Sequence, residues 1–362
     1  MILGIMGDTH KDIANIIHLI VEAFIRAGVE IIIHTGDIET KHLNAELFGN
    51  IPVICALTNG QEKELDFQFP PHGWVFTYPG NRVKVFKNFS IYVGHKKLYE
   101  LLRKKESEFR ESLEILGRDY DGIRWLFAGH VHRQIFDQDP LINCVNPGAV
   151  EGASWGYEYA IVKTKKREVT FSRILPTQPT IEKFKIAVIS DSRNVSQLNP
   201  PFWEKLAERL KQEGVQEIIH CGNLVTEDIG IEALKDFKVH YTLHEGQANS
   251  RKPHDNWQII RPNNPIVDIN GYRFCVQHGL GGSLISKSEI DMLKLSLELA
   301  QKYPSIDYVL FGLTRAAFLE ENEQLWILNP GDIINDQNFA TIELPQNEIT
   351  FGRIPFDPLP VL

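Results

Sequence analysis

Apolar residues in this chain fall into short unbroken runs that end abruptly in polar ones. Met1 to Met6 is the first, and it runs into Gly7-Asp8-Thr9-His10. Such a run predicts a buried strand that delivers polar side chains at its C-terminal end, the edge where open α/β sheets place ligands. Asp12 is positioned to cap a following helix, with Ile16, Ile20, Ala23, Phe24 and Ala27 at helical spacing and Gly28 as its stop. The strand Val29 to Ile33 then ends in His34-Thr35-Gly36-Asp37. A short helix from about His42 to Phe48 and a strand from Pro52 to Leu57 lead to Thr58-Asn59-Gly60. Gly, Pro and aromatic residues between Phe69 and Asn81 predict a long irregular connection. Two β-like runs, Arg82 to Phe86 and Ser90 to Val93, reach Gly94-His95. A charged amphipathic helix from Leu98 to Leu116 and a strand from Trp125 to Ala128 precede Gly129-His130-Val131-His132. If that stretch is extended, its two histidines point the same way, roughly 6 to 7 Å apart. Asn146-Pro147-Gly148 and two antiparallel-looking strands, Glu158 to Lys163 and Glu168 to Arg173, close this half.

The pattern stops around Leu175 to Thr180 and then starts again. Lys185 to Arg193 echoes Ile2 to His10, Val215 to Asn223 echoes Val29 to Asp37, and Tyr272 to His278 echoes Ser90 to His95. Tyr308 to Arg315 echoes Trp125 to His132, and Asn329-Pro330-Gly331 repeats Asn146-Pro147-Gly148. Four of these correspondences share one offset, since 191 − 8, 278 − 95, 315 − 132 and 330 − 147 all equal 183, while 223 − 37 is 186. Glu348 to Arg353 repeats Glu168 to Arg173. The expectation is two copies of one α/β domain with a largely parallel sheet at heart, residues 1–176 and 184–362, joined by a linker at 177–183.

Composition agrees with two domains: 362 residues, 43% of them hydrophobic, with no run of eighteen apolar residues. The start of the chain has neither a basic segment nor a long apolar one before its first motif, so a cytoplasmic protein without a signal peptide or membrane span is expected. Cys55, Cys144, Cys221 and Cys275 lie far apart in apolar surroundings, which reads as buried reduced thiols. The net charge of −9 argues against a nucleic-acid partner. It divides as −1 for residues 1–180 and −8 for 181–362, which makes the first copy the better host for an anionic ligand.

The polar residues that end strands in the first copy are Asp8, His10, Asp37, Asn59, His95, His130 and His132. Carboxylate, amide and imidazole donors gathered at one sheet edge, with no thiolate among them, suit two divalent first-row ions: manganese first, then iron, zinc, cobalt or nickel. Two such ions roughly 3.5 to 4 Å apart lower the pKa of a bridging water, so that hydroxide is available as a nucleophile at neutral pH. No Ser or Cys nucleophile elbow competes with that chemistry.

These motifs (Asp-x-His, Gly-Asp, Asn59, His95 and Gly-His-x-His) resemble the calcineurin-like metallophosphoesterase superfamily, in its small bacterial and archaeal phosphodiesterase branch. The resemblance covers the whole first copy. It implies a four-layer α/β/β/α sandwich and a dinuclear centre. In that centre Asp8, His10 and His132 hold one metal, Asn59, His95 and His130 the other, and Asp37 bridges. Two departures stand out. Thr58-Asn59-Gly60-Gln61 lacks the histidine of the family's Gly-Asn-His, leaving protonation of the leaving group unassigned and favouring activated aryl esters and diesters. Lys96 stands where the family usually has glycine, a solvated lysine or a phosphate neighbour.

At the matching positions the second copy has Asp191, Arg193, Asn223, Glu245, His278, Leu313 and Arg315. Arginine stays protonated and cannot ligate a cation, so a second dinuclear centre is not expected there. Asp191, Arg193, Glu245 and Arg315 read as a buried ionic cluster in place of a metal or, more sharply, as an anion-binding pocket. The functional expectation is a metal-dependent phosphoesterase, most specifically a phosphodiesterase, acting on a small phosphodiester or phosphomonoester. Its degenerate half would play the second subunit of an internal pseudo-dimer, with or without higher assembly. The alternatives are a non-catalytic protein-binding scaffold on the same fold, as in a retromer subunit, and a nuclease. Trp74 is expected either at a substrate cleft or in the core.

Overall fold

The computed structural model describes residues 1–10, 13–39, 45–58, 71–78, 82–86, 89–97, 106–120, 122–138, 142–150, 156–175, 182–191, 200–222, 230–242, 254–278, 298–312, 317–322, 325–333 and 336–354. Two compact units divide the chain, Met1–Pro179 and Thr180–Leu362. In the first, strands β1 (Ile2–Met6), β2 (Ile31–His34), β3 (Val53–Ala56), β4 (Trp74–Thr77), β10 (Tyr157–Lys163) and β11 (Glu168–Ile174) form one sheet in the order β4-β3-β2-β1-β10-β11. The strands β1 to β4 run parallel, and β10 and β11 join antiparallel. A second sheet has the order β5-β6-β7-β9-β8, built from β5 (Val83–Phe86), β6 (Phe89–Val93), β7 (Ile123–Phe127), β8 (Gln134–Gln138) and β9 (Asn143–Pro147).

Side-chain alternation turns these sheets into layers. Helix α1 (Ala14–Arg26) buries Ile17, Ile20, Val21 and Phe24, one stripe at helical spacing, against Met6, Ile32, Val53 and Cys55 of the first sheet. Each such side chain contributes roughly 1.5–3 kcal/mol on burial. Gly4 admits the Phe24 ring, since a Cβ there would lie 2.8 Å from it. Gly28, at φ +71°, ends the helix with its N–H on the Ile25 carbonyl. Helix α2 (Glu106–Asp119) sets Leu113 and Leu116 against Leu126, Ala128 and Cys144 of the second sheet. The sheets' other faces meet: the rings of Phe136 and Phe171 lie 6.5 Å apart, and Gln134 donates to the Ser172 carbonyl at 3.1 Å. The result is an α/β/β/α sandwich.

The second unit repeats this connectivity. Its strands are β12 (Phe184–Ile189), β13 (Glu217–His220), β14 (Lys238–Thr242), β15 (Trp257–Ile260), β16 (Ile266–Ile269), β17 (Tyr272–Gln277), β18 (Tyr308–Phe311), β19 (Phe318–Asn322), β20 (Leu325–Asn329), β21 (Asn338–Leu344) and β22 (Glu348–Arg353). The sheets are ordered β15-β14-β13-β12-β21-β22 and β16-β17-β18-β20-β19. Helices α3 (Pro200–Gln212) and α4 (Gly230–Ala233) belong to this unit. Even the strand register repeats. Ile91 pairs with Trp125, and 183 residues later Phe274 pairs with Tyr308. Helix α3 already stands 186 residues beyond α1, so the three-residue slip enters between Asp191 and Pro200, before the helix. The last hairpin returns at 180, with Lys163 opposite Glu168 and Glu343 opposite Glu348.

Several expectations need correction. The N-cap of α1 is Ile13, without a side-chain cap, and Asp12 lies outside the described residues. Within the span expected to be irregular, β4 pairs with β3, and Trp74 is core: it is 5% exposed, its ring 4.9 Å edge-on from Phe48. Strands β8 and β9 were not expected at all, because β9 (NCVNP) carries little β-propensity of its own and is held by pairing on both sides. The four cysteines are buried, and none forms a disulfide.

Candidate metal centre

The C-terminal ends of β1, β2, β6 and β7 gather six of the seven expected residues; Asn59 lies outside the described residues. Past β1 and β2 the two loops run side by side, with Asp8 N–H on the Gly36 carbonyl (3.0 Å) and Thr9 N–H on the Asp37 carbonyl (2.9 Å). Asp8 and Asp37 both take left-handed backbone, at φ +57° and +56°. His130 and His132 do as well, at +74° and +53°, so this pair sits on a turn past the strand and not in an extended segment. Left-handed backbone costs a non-glycine residue of order 1–3 kcal/mol and persists only where its surroundings enforce it. Here the enforcing contacts are visible: His130 N–H donates to Asp8 Oδ2 (3.1 Å), Gly129 N–H to the His95 carbonyl (3.1 Å), and buried Asn146 Nδ2 to the Gly129 carbonyl (3.0 Å).

The side chains then converge. Asp8 Oδ1 lies 3.4 Å from His132 Nε2 and 3.8 Å from His95 Nδ1, while Asp37 Oδ2 lies 3.3 Å from His10 Nε2 and 3.5 Å from His95 Nε2. The His10 and His132 rings are 5.9 Å apart, those of His95 and His130 4.9 Å. Ligand atoms of Asp8, His10 and His132 lie within 4.8 Å of one another, as do those of Asp8, Asp37 and His95. Space is tight. A Cβ on Gly129 would fall 2.9 Å from Asp8 Oδ2 and 3.3 Å from His95 Nδ1, and one on Gly36 2.9 Å from His95 Cβ.

Electrostatics prepares these groups for a cation. Burial pushes the Asp8 carboxyl up, but the His132 contact, the charges of His95 and His132 and the His130 N–H outweigh it, and the net displacement is downward. Burial lowers the His95 imidazole against the pull of Asp8 and Asp37, and burial with the Lys96 charge lowers His130. These shifts move Asp8 towards its carboxylate form and His95 and His130 towards neutral imidazole, the forms that ligate metal. Asp8 Oδ1 and both ring nitrogens of His95 are buried without a hydrogen-bond partner. Orphaned polar atoms of this kind cost about 1–3 kcal/mol each, so the donor set fits a cation that would satisfy them.

The second unit keeps the backbone and changes the chemistry. Asp191 retains the left-handed φ, +58°, and its N–H the bond to the Gly222 carbonyl (3.1 Å). His278 lies over Gly222 as His95 does over Gly36, but its Nδ1 is 3.2 Å from the Cys221 carbonyl. Arg193, Asn223, Glu245, Leu313 and Arg315 lie outside the described residues.

A fold of two such sandwiches and a site of this composition define a class. The chain belongs to the calcineurin-like phosphoesterase superfamily, whose domain matches residues 1–167 and again 184–345. It is therefore a tandem metallophosphoesterase-fold protein, and the family implies divalent metal ions. It is similar to phosphodiesterase MJ0936 of Methanocaldococcus jannaschii, at 26% identity over 161 residues, 41% of this chain and 83% of that protein. Similar solved structures include a novel archaeal phosphodiesterase (20% identity, TM-score 0.38, covering 48% of this chain and 100% of that one). Others are the phosphoesterase YfcE of E. coli (16%, 0.32, 50% and 100%) and zinc-complexed Vps29 of Entamoeba histolytica (16%, 0.33, 50% and 96%). Among the described residues no helix is long and apolar enough to cross a membrane.

Proposed function

We propose that the first unit is a phosphodiesterase with a dinuclear metal centre, held by Asp8, His10, Asp37, Asn59, His95, His130 and His132. The observation that carries this reading is the group of buried, unpartnered ligand atoms on Asp8 and His95 between Asp37 and His132. Asp37 suits the bridging role because one of its oxygens approaches histidines of both sets, His10 and His95. Two divalent cations, manganese foremost, would supply Lewis-acid charge and a hydroxide nucleophile at neutral pH. The chain's own residues hold the ligand atoms within a few ångströms, exclude water from Asp8 and His95, and keep Asp8 ionised. A diester substrate is favoured by the phosphodiesterase relative and by Thr58-Asn59-Gly60-Gln61, which offers no imidazole to protonate a poor leaving group.

The second unit we read as degenerate. Arg193 and Arg315 replace ligand histidines, and His278 turns Nδ1 to a backbone carbonyl. Metal analysis and hydrolysis of bis(p-nitrophenyl) phosphate in added manganese test both readings. The expected result is up to two ions per chain and an activity that His132→Ala lowers by more than about 10²-fold. Less than one tightly bound ion per chain with no hydrolysis refutes the enzyme, and four ions per chain refute the degenerate second unit.

A further inference from the structure

His34 stands at the end of β2 and is no member of the ligand set, yet it is fully buried and touches both loops that carry the site's carboxylates. The Gly36 N–H donates to its Nδ1 at 3.3 Å. Nδ1 therefore presents a lone pair, the ring proton sits on Nε2, and Nε2 donates to Thr9 Oγ1 at 3.2 Å. Thr9 lies between Asp8 and His10, and Gly36 immediately precedes Asp37. One neutral imidazole thus joins the loop of Asp8 and His10 to the loop of Asp37.

We propose that His34 is a positioning residue for the metal centre: it clamps the two carboxylate loops at the spacing that lets Asp8 and Asp37 share ions. This inference rests on the metal-centre reading above. Both carboxylates occupy left-handed backbone, and the backbone bonds between the loops, from Asp8 to Gly36 and from Thr9 to Asp37, fix only the main chains. The His34 bridge adds a side-chain lock at the Thr9 hydroxyl, beside the Asp8 carboxylate. Metal ligation tolerates errors of only about 0.2 Å, so loosening this bridge acts on affinity before it acts on the fold.

The internal duplication supplies a matched control. His220 is likewise fully buried at the end of β13 and accepts the Gly222 N–H at 3.2 Å, in the unit read as lacking a metal site. In the full chain, Mn²⁺ binding is measured by calorimetry for the native protein, His34→Phe, His220→Phe, Thr9→Val and His34→Gln, with circular dichroism on each. His34→Phe is expected to weaken Mn²⁺ binding about 10- to 100-fold. His220→Phe should lower the melting temperature comparably and leave the affinity within twofold of native. Thr9→Val cuts the Nε2 arm and should reproduce part of the loss, and His34→Gln, whose amide reaches the Nε2 position, should restore part of it. Native affinity in His34→Phe, or an equal loss in His220→Phe, overturns the proposal. If His34→Phe does not fold, native affinity in a folded Thr9→Val overturns it instead. A native protein that binds no Mn²⁺ overturns the metal-centre reading as well, whereas native binding that is indifferent to His34 overturns this inference alone.

Discussion

A single methyl group at Gly129 tests the packing on which the centre depends. In Gly129→Ala the new Cβ would stand 2.7 Å from Thr35 Oγ1, 2.9 Å from Asp8 Oδ2 and 3.3 Å from His95 Nδ1. Ordinary contact begins near 3.4 Å, so the Asp8 carboxylate must retreat by about 0.5 Å and the Thr35 hydroxyl by about 0.7 Å. Both are held, Asp8 by the His130 N–H and Thr35 by the Met6 carbonyl. Overpacking of this kind costs about 1–3 kcal/mol. At roughly 2–4 °C per kcal/mol for a unit of this size, the melting temperature should fall by about 2–12 °C. A 0.5 Å shift exceeds what metal ligation tolerates, so Mn²⁺ affinity should fall at least about tenfold. Gly117→Ala is the contrast: its Cβ meets only Ile142 Cδ1 at 4.0 Å, and helix propensity predicts a gain of about 0.5–1 kcal/mol with unchanged affinity. Calorimetry and thermal melts on the two variants decide the matter. Native affinity and native melting in Gly129→Ala would refute the arrangement of Thr35, Asp8 and His95 around that glycine.

Burial holds His220 down to about 3 from an ordinary 6.5, so the folded state stays neutral while the unfolded chain takes up a proton. The second unit should therefore lose stability as pH falls below about 6.5, by up to about 1.4 kcal/mol per unit and roughly 5 kcal/mol in all near pH 3. Urea denaturation of native and His220→Phe protein between pH 7 and 4 should show the steeper decline in the native chain, and parallel declines would contradict it. Arg173 NH2 and Glu158 Oε1 form a 3.0 Å ion pair with both side chains at most 3% exposed. Arg173→Met removes the guanidinium facing the buried Glu158 carboxylate and should cost about 3–5 kcal/mol by chemical denaturation; a loss below 1 kcal/mol would show the pair to be dispensable.

Much of the site was legible in the residues because its logic is local. A buried strand is a continuous apolar run, and its polar terminus exposes side chains at a sheet edge. Asp8, His10, Asp37, His95, His130 and His132 could therefore be collected without knowing how the edges meet. The signal for His34 was also present: it recurs as His220 in the second copy, where Asp37 has become Asn223. What survives loss of the ligands belongs to the backbone, but a histidine at a strand end announces neither burial nor partner.

The sequence alone determined the duplication, the alternation of strands and helices, and which copy keeps carboxylates and imidazoles, because each is written in periodicity or residue type. Only tertiary structure decided the rest. Strands β4 and β9 form because β3 and β7 offer them hydrogen bonds and apolar faces, and β8 then folds back on β9. Trp74 went to the core because Phe48 and α1 close over β4. The histidines of Gly129-His130-Val131-His132 turned out of the strand because Asp8 and Asn146, far from them in sequence, hold their backbone. Which side chains share an ion depends on distances of a few ångströms between four loops, and spacing along one chain does not encode distances between loops.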